Sequence, residues 1–144
     1  VASLGYVHSK YKNLISDLTG DFIIDALDYA LEVPRAAPLT YSLGFNIDGN
    51  LGTWRSITRI SYYHRDKSYY NENNQGFINE QDILNFGYDI YSSDGKINIG
   101  IYGKNLSNEV KHGGDTNLSF GGTFAPLAKG KIVGAELVYK FWSK

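Results

Sequence analysis

The sequence predicts an all-β protein, an antiparallel meander of about six strands whose two faces are those of a transmembrane β-barrel wall. Three observations predict it. Apolar residues alternate with small or polar ones along six separate stretches. The connections between stretches alternate between short Gly-rich turns and long loops. The composition carries 12 Tyr, 7 Phe and 16 Gly with only 3 Pro and no Met, a balance ordinary for sheets and odd for a helical domain.

Each stretch follows from its period of two. Ala2-Ser3-Leu4-Gly5-Tyr6 is the first. Tyr41-Ser42-Leu43-Gly44-Phe45-Asn46-Ile47-Asp48 is the second, with its apolar side chains at odd positions and therefore on one face. The third, from Trp54 to His64, is the least regular because its apolar face includes Ser56 and Thr58. Leu84-Asn85-Phe86-Gly87-Tyr88-Asp89-Ile90, then Ile97-Asn98-Ile99-Gly100-Ile101, then the alternation from Val133 to Phe141 complete the set. Asp48-Gly49-Asn50-Leu51-Gly52-Thr53 and Ser92-Ser93-Asp94-Gly95 read as tight turns. The other three connections, 13–38, 66–81 and 105–131, are long. Short turns at one end and long loops at the other make a meander rather than βαβ units.

Composition excludes several classes. The 144 residues are enough for one domain or part of one. With 14 basic and 15 acidic side chains the net charge is −1, which argues against a nucleic-acid binder that relies on positive charge. The chain has no Cys, which removes disulfides, thiolate–zinc sites and thiol nucleophiles. No apolar run reaches the roughly 18 residues of a spanning helix, and Val1-Ala2-Ser3-Leu4-Gly5-Tyr6 is not a secretory signal.

What the two faces contain orients the sheet. The less apolar face carries Gly5, Gly44, Gly87, Gly100 and Gly134 with Asn, Asp, Glu and Ser, and has little of the Lys and Glu of a water-exposed surface. The apolar face carries Ile, Leu and Phe, with Tyr6, Tyr62, Trp54 and Tyr139 near strand ends. Aromatic rings flanking an aliphatic band suit two membrane interfaces, so the apolar face is expected to meet lipid and the polar face a hydrated lumen. Six strands leave two open edges, each costly in hydrocarbon. Val1 also enters in mid-strand. The chain is therefore expected to be a C-terminal piece of a larger barrel.

Ile99-Gly100-Ile101-Tyr102-Gly103-Lys104-Asn105-Leu106-Ser107-Asn108-Glu109 resembles the penultimate strand and following loop of TonB-dependent outer-membrane receptors. Gly122-Thr123-Phe124-Ala125-Pro126-Leu127-Ala128-Lys129-Gly130-Lys131 is similar to the segment before their last strand, and Gly134-Ala135-Glu136-Leu137-Val138-Tyr139-Lys140-Phe141 to that strand. Pro38-Leu39-Thr40-Tyr41-Ser42-Leu43-Gly44 and Tyr62-Tyr63-His64-Arg65-Asp66-Lys67-Ser68-Tyr69 also fit that region of the family. The resemblance implies a 22-stranded barrel around an N-terminal plug, in the outer membrane of a Gram-negative bacterium, importing a bulky nutrient (siderophore, haem, cobalamin or carbohydrate) with energy from the TonB complex. The partners it implies are the remaining strands, the plug, TonB, outer-membrane lipid and the nutrient; the plug and the TonB-engaging segment lie outside this sequence. Family members often end on the aromatic of the last strand, whereas Phe141 is followed by Trp142-Ser143-Lys144.

The site residues follow from parity and loop position. Tyr63 faces opposite to Tyr62 and is expected in the lumen, where a ring with a hydroxyl suits a ligand; Tyr69 and Tyr70 accompany it in the adjacent loop. Arg55 and Arg59 share the inward parity and are expected to pair with carboxylates of the plug or a neighbouring strand. His112, in Lys111-His112-Gly113-Gly114-Asp115, is a further outer-loop ligand candidate. His8, His64 and His112 show no metal-binding spacing, and no metal or other cofactor is expected. In the first long loop, Asp21, Asp25, Asp28 and Glu32 recur at helical spacing opposite Ile23, Ala26, Leu27 and Ala30, before Pro34, which predicts an amphipathic helix over 21–32 with a solvated acidic side.

No nucleophile triad, phosphate loop or dinucleotide fingerprint is present, and no catalysis is expected. The alternatives are a soluble β-sandwich or lipocalin-like binding module, for which six meandering strands suffice, and a passive porin or small barrel fragment.

Overall fold

The computed structural model describes residues 1–111, 116–118 and 122–141. It is all-β, and its main element is one six-stranded antiparallel sheet. The strands are β1 (Ala2–Tyr6), β2 (Leu39–Leu51), β3 (Trp54–Arg65), β6 (Gln81–Tyr91), β7 (Ile97–Lys104) and β10 (Ile132–Tyr139). In the sheet they follow chain order, each antiparallel to the one before, which is the predicted meander. Two ribbons that alternation does not reveal lie within the long loops: β4 (Ser68–Tyr69) with β5 (Phe77–Ile78), and β8 (Thr116–Leu118) with β9 (Gly122–Phe124).

The strands run longer than the sequence patterns. β2 continues through Gly49 and Asn50 to Leu51, because these residues pair with Ser56, Arg55 and Trp54 across the ladder. The expected six-residue turn thus shrinks to Gly52-Thr53, with Gly52 at φ +63, the positive φ that two-residue hairpin loops demand. β3 is regular despite Ser56 and Thr58, because it is laddered on both sides, to β2 and to β6. At the second turn Gly95 has φ +68 and donates its N–H to the Ser92 carbonyl at 2.9 Å. Ser93 Oγ donates to the Thr53 carbonyl at 2.6 Å and ties the two short turns together.

The register puts most of the large apolar side chains on one face, with Ile57, Ile83, Ile132 and Val138 on the other. One face collects Leu43, Phe45 and Ile47 from β2, Ile60 and Tyr62 from β3, Leu84, Phe86 and Ile90 from β6, Ile99 and Ile101 from β7, and Leu137 from β10. Tyr6, Tyr41 and Tyr62 stand on this face toward the long loops; Trp54 and Tyr139 stand toward the short turns. Among the described residues no second layer covers this face: Phe45 is 59% and Leu137 72% exposed, and the one buried large hydrophobe is Ile78, in a loop ribbon. Among the described residues no helix is long and apolar enough to cross a membrane.

The predicted helix over 21–32 is a correction. Only Ala26–Tyr29 is helical. The acidic stripe does not form, and Asp28 is completely buried while Ile23 and Leu27 are exposed, the reverse of the expected arrangement. The aspartates here accept hydrogen bonds from nearby backbone N–H groups, which favours turns over helix. Asp17 accepts from Gly20 (2.7 Å) and Phe22 (2.6 Å), Asp21 from Ile23 (2.9 Å), and Asp25 caps the short helix by accepting from Leu27 (2.7 Å).

Candidate functional site: the polar face and the joined long loops

The face opposite the apolar one is hydrogen-bonded across the strands. Arg55 forms a two-pronged ion pair with Asp48 of β2, its Nε 3.0 and 3.1 Å from the two carboxylate oxygens. Arg59 pairs with Asp89 of β6 and lies over Gly87, where an added Cβ would fall 3.6 Å from its Nε. Both arginines therefore find carboxylates on neighbouring strands. Ser3 and Ser42 share a hydroxyl hydrogen bond at 2.7 Å, and Asn85 Nδ2 donates to Ser61 Oγ at 3.2 Å.

The glycines on this face make room. A Cβ on Gly134 would fall 2.5 Å from Tyr102 Cζ, so the Tyr102 ring lies flat over that backbone; one on Gly100 would meet Asp89 Oδ1 at 2.7 Å. Beside them lies an open depression of about 700 Å³ lined among others by Asn46, Arg59, Ser61, Asn85, Tyr102 and Lys104. It offers amides, a hydroxyl, a ring face and two cations, and so can bind by hydrogen bonding and charge.

Tyr63 lies on this face at its long-loop end, opposite Ser42 and Ile83. Tyr69 and Tyr70 stand apart from the sheet, at the β4–β5 ribbon, and both rings carry a cation: Lys67 Nζ lies 5.3 Å from the Tyr69 ring centre and the Arg35 guanidinium 4.7 Å from that of Tyr70. His112 lies outside the described residues.

These contacts join the loops. The Arg35 N–H donates to the Tyr69 carbonyl at 2.7 Å. Glu32 and Asn74 exchange two hydrogen bonds, 2.8 and 2.9 Å, so loops 7–38 and 66–80 meet twice. Lys111 reaches Glu109 at 3.0 Å and Glu80 at 3.5 Å, linking loop 105–131 to loop 66–80, and these carboxylates raise its ammonium above the usual lysine range.

The residue that organises the third loop is one that parity reasoning does not single out. Asn105 is buried at φ +51, its amide donating to the carbonyls of Glu109 (3.0 Å) and Lys129 (2.8 Å) while its oxygen accepts from the Glu109 N–H (2.9 Å). Leu106 packs against Gly103, where any Cβ would fall 2.5 Å from its Cδ2. Ser107 Oγ bonds the Asp82 carbonyl, and Asn108 Oδ1 accepts from the Lys131 N–H at 3.0 Å. The Lys104-Asn105-Leu106-Ser107-Asn108-Glu109 run thus fastens the long-loop ends of β6 and β7 to the approach to β10. The readable signal was Asn at positions where turns need positive φ.

At the outer boundary of the apolar face, His64 sits between two carboxylates, Nδ1 2.7 Å from Asp82 and Nε2 3.0 Å from Asp66. Its ring stacks on Tyr41 at 4.7 Å, and the Tyr62 hydroxyl donates to Asp82. His64 is thus engaged by carboxylates and a ring. Searches against family descriptions, curated proteins and solved structures find no match to this chain.

Proposed function

We propose that this chain is the C-terminal part of the wall of a TonB-dependent receptor barrel in a Gram-negative outer membrane, and that it serves energised uptake of a bulky nutrient. The observation that carries the reading is the uncovered apolar face with tyrosines at one end and Trp54 and Tyr139 at the other. Hydrocarbon is the solvent that such a face fits, and rings belong at its two boundaries. Open edges β1 and β10 would leave backbone groups unpaired in lipid, so the reading places further strands of the barrel against both. The polar face then turns to the lumen, where Arg55 and Arg59, already paired, offer a hydrated surface to a plug. The joined loops form part of the outer vestibule, and no bond chemistry is assigned to the chain.

This chain has no Cys, and any Cys elsewhere in the complete protein is replaced by Ser before labelling. Single cysteines placed in turn at 43–47 of the complete protein are labelled with a fluorophore and exposed to brominated lipid in vesicles. Quenching at Leu43, Phe45 and Ile47 but not at Gly44 and Asn46 is expected. A monodisperse, folded protein in lipid-free buffer without this alternation selects the soluble sandwich. Planar-bilayer recording separates the remaining alternative: a plugged receptor holds current near zero, whereas a steady open conductance selects a porin.

A further inference from the structure

We propose that His64 is a pH-dependent latch at the base of loop 66–80, closed while its ring carries two protons and released on the Asp66 side when it loses one. The ring bridges the two ends of that loop. Its Nδ1 lies 2.7 Å from Asp82 Oδ1, near the head of β6, and its Nε2 3.0 Å from Asp66 Oδ1, just after β3. An ionised carboxylate only accepts, so both contacts are hydrogen bonds only when both ring nitrogens are protonated. A neutral imidazole has one N–H and turns a lone pair on the other carboxylate.

The surroundings decide which side lets go. Tyr41 of β2 stacks on the ring, and the Tyr62 hydroxyl of β3 donates to Asp82. Lys111 of loop 105–131 also acts on Asp82 by its charge. Asp82 stands opposite His64 in the β3–β6 ladder, which fixes its backbone. The Asp66 carboxylate has no other hydrogen bond among the described residues. The remaining proton therefore stays toward Asp82, and Nε2 then repels Asp66.

The His64 side chain is 16% exposed, so water screens these charges little. The ring lies two residues beyond Tyr62, on the loop side of the apolar band, and Asp82 and then Asp66 raise it above the usual histidine range. The latch's contribution is therefore complete below pH 6.5 and is lost as pH rises through the raised midpoint. Loop 66–80 meets loop 7–38 at Arg35–Tyr69 and Glu32–Asn74, and loop 105–131 at Glu80–Lys111. A released base thus loosens the loop that joins the other two. The inference needs neither lipid nor plug and stands apart from the barrel reading.

The test uses the complete protein, in nanodiscs or in buffer as its folding requires. Nitrogen-15 labelling of histidine, assigned by the signals that His64→Gln removes, follows both ring nitrogens through a pH titration. Hydrogen exchange, corrected for the intrinsic effect of pH, follows the amides of loop 66–80. A ring mostly doubly protonated at pH 6.5 is expected, with exchange in the loop rising about tenfold or more through the His64 midpoint. His64→Gln should hold the fast rate at every pH and His64→Arg, which keeps its charge, the slow one. Unchanged exchange in β2 and β3 confirms that the variants fold; should either not fold, the unmodified protein's two titrations decide alone. A ring mostly neutral at pH 6.5, loop exchange that ignores the His64 midpoint, or a pH step that survives in His64→Gln each overturns the proposal. Lipid quenching of the strands is read separately, so the barrel reading can fail while this one stands.

Discussion

Arginine placed at two depths on β2 distinguishes a lipid-facing sheet from any other. Ile47 and Leu51 point to the same face and are equally exposed, at 59%. Ile47 pairs with Thr58, midway between Trp54 and Tyr62 on β3, whereas Leu51 pairs with Trp54 itself. From Trp54 to Tyr62 the strand climbs about 27 Å, or about 21 Å along the normal at a tilt of about 40°, close to the roughly 25 Å apolar band of such barrels. In a lipid-facing sheet Ile47 would therefore lie near the midplane and Leu51 about 10 Å away, at the boundary. Ile47→Arg should cost about 2–4 kcal/mol and Leu51→Arg about 0–1 kcal/mol. Urea unfolding of the complete barrel from phosphatidylcholine vesicles, followed by tryptophan emission, reads both values. On a water-exposed sheet both changes would be worth no more than about 0.5 kcal/mol. In a dry protein core both would be costly, with no relation to lipid depth. Costs that agree within about 0.5 kcal/mol refute the lipid-facing reading, because only the bilayer makes equal exposures unequal.

Three further outcomes follow from the packing and hydrogen bonds. Asp28 is held at a pKa of about 2 by the backbone N–H groups of Asp25, Thr19 and Leu18. Since this lies below the ordinary 3.8, the carboxylate's stabilising contribution is complete above about pH 4 and is lost as pH falls through 2; carboxyl-carbon NMR should place its midpoint near 2, and a midpoint near 4 refutes the buried geometry. Gly134→Ala should destabilise by about 1–3 kcal/mol because Tyr102 must move, and the cost should vanish in a Tyr102→Ala background; additive effects in the double variant would show that the ring does not lie over Gly134. Asn105→Ala leaves the carbonyls of Glu109 and Lys129 without their donor and should loosen loop 105–131 by about 1–3 kcal/mol, read as faster tryptic cleavage after Lys111; unchanged cleavage removes Asn105 from its organising place.

The sheet was legible because one face is mostly apolar and the other mostly small or polar along six strands in succession, with Ile57, Ile83, Ile132 and Val138 as exceptions. The rule survives even at Ser56 and Thr58, which alternate on the apolar side but are held by ladders from β2 and β6. Parity also assigned Arg55 and Arg59 to the polar face. Their partners were not legible, because Asp48 and Asp89 meet them only through register, which no single strand encodes.

The first loop misled for a definite reason. Asp21, Asp25 and Asp28 recur at helical spacing, but Asp is also the residue whose carboxylate best competes for nearby N–H groups. Asp17 and Asp21 win that competition as turns. Asp25 wins it as a cap. Asp28 wins it from inside, against three amides. A periodicity of acids is thus a weak helix signal when the acids have backbone donors within reach, and the exposure of Phe22, Ile23 and Leu27 is its consequence.

The run Lys104 to Glu109 carries the most specific sequence resemblance, and the work it does bears on what that resemblance is able to imply. Asn105 binds two carbonyls, Leu106 occupies the space that Gly103 leaves, Ser107 holds the Asp82 carbonyl, and Asn108 holds the Lys131 N–H. Each of these contacts is made within the chain, to backbone or to a packed neighbour, and none is offered to a ligand. Such a motif fixes a strand-end geometry, whatever larger sheet the chain belongs to. It therefore bears on the fold and is silent on any ligand. Information on a ligand has to come from other side chains, and on the polar face Asn46 and Lys104 line the open depression.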